Sequence, residues 1–231
     1  VITNTMSETL KKITIVGTPE IIPAEYFRGC QYLEEIELPD SVKEIGMNAF
    51  TYCSKLSELK IPPNCEIIDD YAFSMLHLKG LSLPATVKKI GNYIFSESDL
   101  ETLEIEGKDT EIKCLGANYI KNIVLPYVGY SSNNLCSLKE ILALPPYEIS
   151  NLETVILLDS CTSMPENAFE GIIGIDIYCY ADVDATVWPS GWNNGNRVHY
   201  LNQWNYIRFM VDGKLIASSA HGTGDALKLP A

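Results

Sequence analysis

The chain has 231 residues, 46% of them hydrophobic, and 30 acidic against 17 basic side chains give it a formal charge of −13. Such a chain is too apolar to be disordered and long enough to bury a sizeable core, while its acidity argues against a phosphate-backbone partner. No apolar run approaches the roughly 20 residues of a membrane-spanning helix. The acidity is uneven, since residues 193–231 hold 4 basic and 2 acidic side chains against 13 and 28 before them, which points to a different module after residue 192.

In chain order, the dominant feature is self-similarity. A first copy places Leu10, Ile13 and Ile15 ahead of Ile22, Phe27 and Cys30. The second runs Leu33, Ile36, Leu38-Pro39, Val42, Ile45-Gly46, Ala49-Phe50 and Cys53. The third runs Leu56, Leu59, Ile61-Pro62, Cys65, Ile68, Ala72-Phe73 and Leu76; the fourth, Leu78, Leu81, Leu83-Pro84, Val87, Ile90-Gly91, Phe95 and Ser98. In all four, the Phe follows the third apolar position by 12 residues. Later copies keep the opening alone, at Leu100, Ile120, Leu138 and Leu152, with Phe169 again 12 after Leu157 and a last trace at Ile172, Ile175 and Ile177.

Each position has a physical role in one coil of a solenoid. Alternate residues of Leu-x-x-Leu-x-Leu point inward from a short strand, and the following Pro, lacking an N–H, ends the pairing. Val-x-x-Ile-Gly reads as a second short extended piece with a sharp turn at Gly. Asn-Ala-Phe-x-x-Cys reads as a single helical or 3₁₀ turn that drives Phe inward. No coil buries its apolar face alone, so stacking must supply the core. The expected fold is a repeat solenoid of about eight right-handed β/α(3-10) coils with a short-strand parallel sheet, over residues 1–178.

The motif of residues 33–53 and 78–98 resembles the BspA-type leucine-rich repeats of bacterial and some protist surface proteins. Between residues 107 and 150 the likeness weakens: no Ala-Phe pair follows Leu125, and a polar stretch intrudes at 128–135. The resemblance implies a secreted or surface-attached protein that takes part in adhesion and partner binding.

Residues 179–205 read as a cap for the last coil, with Trp188, Trp192, Tyr200 and Trp204 to cover it. In residues 206–231, the strands either side of Asp212-Gly213 form a hairpin signal. With Gly222 or Gly224 and Leu229-Pro230, this stretch resembles the start of an internalin-like B-repeat, a small β-grasp module. Val1 falls within a coil, so both ends are expected to continue in a longer protein.

Seven cysteines include no CxxC pair, so a structural zinc site is not expected. Cys30 and Cys53 share one offset on neighbouring coils, and Cys65 and Cys161 share another; they read as buried core thiols, although adjacent rungs also permit a disulfide between Cys30 and Cys53. Cys136 and Cys179 are expected to be exposed. His77, His199 and His221 are scattered without a triad or HExxH pattern, and Gly222-Thr-Gly224-Asp225 reads as a hairpin exit rather than a phosphate loop. Asp176, Asp182 and Asp184 read as a solvated loop rather than a calcium site. There is no N-x-Ser/Thr sequon, and neither cofactor nor metal is expected.

One column carries a candidate site. The outward residue of each strand runs Thr14, Glu37, Lys60, Ser82, Glu104, Val124, Leu142 and Ile156, from polar to aliphatic. Either the later strands shift register or a loop covers them, or Val124, Leu142 and Ile156 form an apolar contact patch flanked by Glu104 and Glu140. The expected function is a non-enzymatic, extracellular binding module that engages an unknown protein or glycan through its sheet face. It would sit among neighbouring modules of a longer chain, without nucleic acid or membrane insertion. A structural spacer is the alternative, and a non-catalytic part of a larger secreted enzyme a distant one.

Overall fold

The computed structural model describes residues 9–126, 137–142, 149–158, 161, 164–180 and 188–200, and the backbone of 206–211 and 214–220. In chain order the elements are β1 (Lys12–Thr14), β2 (Ile21–Ile22), β3 (Glu35–Glu37), β4 (Glu44–Ile45), β5 (Ile67–Ile68), β6 (Gly80–Leu83), β7 (Lys89–Ile90) and β8 (Thr102–Ile105). They continue with β9 (Glu111–Ile112), β10 (Asn122–Leu125), α1 (Leu138–Leu142), β11 (Thr154–Leu157), β12 (Asp176–Cys179), β13 (Arg197–Tyr200), β14 (Tyr206–Val211) and β15 (Lys214–Ala220). The chain is a parallel-strand solenoid of about seven turns.

The Leu-x-x-Leu-x-Leu segments build the first wall. β1 pairs with β3, and a six-stranded sheet follows in the order β13-β12-β11-β10-β8-β6. The Val-x-x-Ile segments build the second wall, the sheet β2-β4-β5-β7-β9, whose register aligns Ile22, Ile45, Ile68, Ile90 and Ile112, all at most 2% exposed. Identical offsets in sequence thus become columns of like side chains, and one continuous core runs from Ile22 to Trp192.

The Ala-Phe segments were expected to be single helical or 3₁₀ turns; they do make turn bonds three residues apart, such as Arg28 N–H to the Glu25 carbonyl at 3.2 Å, and they also form a third hydrogen-bonded wall. Glu25, Phe27 and Gly29 donate their N–H groups to the carbonyls of Met47, Ala49 and Thr51 in the next coil, at 2.8, 2.9 and 2.8 Å. Asn48, Phe50 and Tyr52 repeat this toward Asp70, Ala72 and Ser74. Aiming alternate N–H groups at the next coil requires left-handed residues within each turn, and Glu25, Asn48, Tyr71 and Tyr93 all have φ between 55° and 58°. The carbonyl partner in the next coil is the compensation for that strain. The Phe side chains stack inside, with ring centroids of Phe27 and Phe50 at 5.1 Å, Phe50 and Phe73 at 6.1 Å, and Phe73 and Phe95 at 6.0 Å.

One expected coil is absent. The segment opening at Leu138 is α1, and β10 pairs directly with β11, so a single long coil runs from Ile120 to Leu152. α1 fills the third wall of that coil: Leu115 and Ala117 donate to the carbonyls of Ile141 and Leu142 at 2.7 and 2.8 Å, and Leu138 donates to Ala168 at 2.7 Å. Apolar residues at i and i+3 suit a helix as well as a strand entry. The decisive signal was Ser137-Leu-Lys-Glu140, a capping box: Ser137 N–H donates to Glu140 Oε2 at 2.9 Å, and Glu140 N–H to Ser137 Oγ at 3.4 Å.

The sheet continues past residue 178, because β13 adds a parallel rung to β12. Asn196, 5% exposed, closes that rung: its amide donates to the carbonyls of Ile172 and Asn193 at 2.8 and 2.9 Å and accepts from Ile175 N–H at 3.2 Å. β14 and β15 pair antiparallel as the Asp-Gly signal predicts, with an irregularity between Phe209 and Met210. Asp212 and Gly213 lie outside the described residues, as do Trp204 and residues 221–231.

Candidate functional site

The outward column on the first wall has the expected register except at one residue. Thr14 stands beside Glu37, and Ser82, Glu104, Val124, Ile156, Tyr178 and His199 follow one another across the large sheet. Leu142 does not belong to it: as part of α1 it is fully buried in the main core. Val124 and Ile156 do lie on the outer face, yet they are 0% and 2% exposed and form a small second cluster with Tyr180, against which Leu158 and Tyr178 pack. Glu104 is buried as well, at 1%, and Glu140, although exposed, caps α1. The five residues therefore form no open apolar patch. Aliphatic side chains on a sheet face leave water wherever cover is at hand, and Tyr180 supplies part of that cover.

The accessible part of the face lies at the other end. Between β3 and β6, residues 57–61 of the third coil join neither part of the first wall, although Leu59 and Ile61 remain in the core. A cavity of about 1000 Å³ lies over this break, bordered by Lys12, Glu37, Lys60, Ser82 and Glu106. The second wall is unbroken at this level, with β4, β5 and β7 paired in register. In sequence the third coil differs from its neighbours at this level by the tandem Pro62-Pro63, a second residue without an N–H to donate.

Charged groups pair between coils at constant offset. Lys12 meets Glu35 at 2.6 Å, Lys43 meets Glu20 at 2.8 Å, Lys88 meets Glu66 at 2.8 Å, and Glu101 is shared by Lys79 and Lys121 at 3.0 and 2.9 Å. Hydrogen bonds from Lys121 and Lys79 hold the Glu101 carboxyl below the usual range. His77 pairs with Asp99 at 2.6 Å and His199 with Asp176 at 2.8 Å. The Asp176 carboxyl is lowered by the His199 hydrogen bond and the nearby Arg197, while Asp182 and Asp184 lie outside the described residues. Among the described residues, no group of three His, Cys, Asp or Glu side chains is placed to hold a metal, and no helix is long and apolar enough to cross a membrane.

The six described cysteines are all buried. Cys179 is a correction: it is 0% exposed because it alternates inward with Ile177 on β12. Cys136 lies outside the described residues. Cys53 donates to the Phe27 carbonyl at 3.1 Å; its contact with Cys30 and its burial push its thiol up, whereas hydrogen bonding with Cys53 lowers that of Cys30. Burial pushes the Cys65 thiol up to about 12.

Comparison with known proteins agrees with these coils. A leucine-rich repeat protein from Bacteroides ovatus is 22% identical, with a TM-score of 0.46 over 83% of this chain and 55% of its own. One from Eubacterium ventriosum is 16% identical, with a TM-score of 0.46 over 86% and 62%. A leucine rich cell surface protein from Faecalibacterium prausnitzii is 17% identical, with a TM-score of 0.29 over 84% and 61%. The chain spans less than two thirds of the length of each. No curated protein matches it. Six copies of the BspA type leucine rich repeat region match residues 5–124, stopping well short of the hairpin. That match covers just over half of the 231 residues, and the chain belongs to the BspA-type leucine-rich repeat family.

Proposed function

We infer that the chain is a non-enzymatic binding module of a cell-surface protein, and that it engages a protein or glycan ligand through the open sheet face of its first four coils. The observation that carries this reading is the cavity of about 1000 Å³ at the break in the first wall, lined by side chains of both signs. Mixed charge around a cavity supplies directional contacts and selects against partners of the wrong pattern. The family supports the surface setting, since it is one of repeat proteins rather than enzymes.

The test is binding of the immobilised chain to a panel of purified extracellular proteins and a glycan array, repeated with Glu37→Lys combined with Lys60→Glu. Both side chains are exposed, so the double variant keeps the fold and inverts the local pattern. A binding module loses at least about tenfold in affinity, the scale of one displaced charged contact. Binding indifferent to the inversion, or none at all, would favour a spacer instead.

A further inference from the structure

β13 is the end strand of the six-stranded sheet, and the turn before it covers the core with two tryptophans. Trp192, 7% exposed, meets Phe169 with ring centroids 5.6 Å apart, and Trp188 meets Trp192 edge-on at 4.8 Å and 75°. On β13, Val198 packs against the core, and Tyr200, two residues on, shares its face. Tyr200 nevertheless remains 53% exposed. Trp188, Trp192 and Tyr200, with Ser190 and Asn193 among the other lining residues, enclose a cavity of about 310 Å³.

A cap needs apolar surface to be covered, which accounts for Trp192 but not for the open space beside it. Three further features describe an occupant. Among the described residues, no charged side chain lines the cavity, in a chain of formal charge −13, so the surroundings favour a neutral molecule over an anion. The Ser190 side chain on the rim is exposed, and its hydroxyl can both donate and accept. Asn193 commits its amide nitrogen to the Asn196 carbonyl at 2.7 Å, which leaves its own carbonyl oxygen to accept. Aromatic faces, the Asn193 acceptor and the exposed Ser190 hydroxyl match a pyranose ring, whose C–H face stacks on aromatic rings while its hydroxyls both donate and accept. The volume is at the small end of ligand sites, suited to one ring rather than a chain.

We propose that this pocket is a subsite for one ring of a neutral saccharide. It shares no lining residue with the sheet-face cavity, so the two readings fail separately.

The experiment titrates the full chain with glucose, galactose, mannose, N-acetylglucosamine and N-acetylgalactosamine, with sialic acid and a proline-rich peptide as contrasts, by calorimetry and tryptophan fluorescence. At least one neutral sugar should saturate the protein below about 100 mM, more tightly than sialic acid. Ser190→Ala deletes the rim hydroxyl at an exposed position and should weaken that sugar about fivefold, the effect of one hydrogen bond. Tyr200→Ala should weaken it about tenfold by removing a stacking face. Melting temperature reports folding of both variants, and if Tyr200→Ala fails to fold, Ser190→Ala alone decides. The proposal is overturned if no neutral sugar saturates, if the folded variants bind as the parent does, or if the peptide binds and no sugar does.

Discussion

Gly46 and Gly91 follow the second short strand of their coils, where neighbouring backbones nearly touch. A Cβ at Gly91 would lie 2.5 Å from the Asp70 nitrogen, and one at Gly46 would lie 2.7 Å from that of Ala24. Backbone atoms locked into two ladders cannot retreat, so Gly91→Ala should lower unfolding free energy by about 1–3 kcal/mol, read from the urea midpoint; an unchanged midpoint would show that the coils can part. Glu101 tests the cross-coil ion pairs. Its carboxyl is held low by Lys121 and Lys79, so its contribution is complete above the ordinary glutamate range near ~4.3 and is lost as pH falls through the lowered folded value. Because these groups are well exposed, Glu101→Gln should cost no more than about 1 kcal/mol at neutral pH. Thermal melts should show that difference shrinking in acid and in high salt, where screening weakens the pairs.

Elements here are walls shared between coils, and their side chains act as ladders. Phe73 lies between Phe50 and Phe95 and is fully buried; neighbours tied by backbone bonds collapse little around a cavity. Phe73→Ala should therefore cost about 3–5 kcal/mol, measurable by denaturant unfolding, and a cost below 1.5 would mean the third wall is compliant. α1 has only five residues, too few to stand alone, and relies on its cap and on bonds to the coils on either side. Ser137→Ala removes the hydroxyl that receives Glu140 N–H and should destabilise by about 1 kcal/mol. Capping is the physics that the repeat pattern concealed, since Leu138 and Ile141 satisfy the spacing of both readings.

For the molecule as a whole, stability is a sum over neighbouring coils, so a local defect has a local effect. The first wall breaks at residues 57–61 while the second runs on. Backbone groups without ladder partners open most readily. Hydrogen exchange should find the amides of Leu59 and Lys60 exchanging much faster than those of Leu103 and Ile123, which lie in the paired β8 and β10. Equal protection would mean that the break closes in solution. The charge of −13 is likewise spread along the coils, where lysines of one rung meet acids of the next, and marks no single site.

The sequence by itself determined the solenoid, the inward columns and the buried thiols at Cys30, Cys53 and Cys65, because a repeated offset forces like residues to stack. It also placed Val124 and Ile156 on the outer face correctly. It did not decide whether that face is open. Exposure depends on what packs over a strand, and Tyr180 approaches Val124 from a coil 56 residues away in sequence. The same holds for the third wall, whose turns are also bonded from coil to coil, and for both cavities. Each is set by the spacing between rungs, a tertiary quantity that the residues of one coil do not encode.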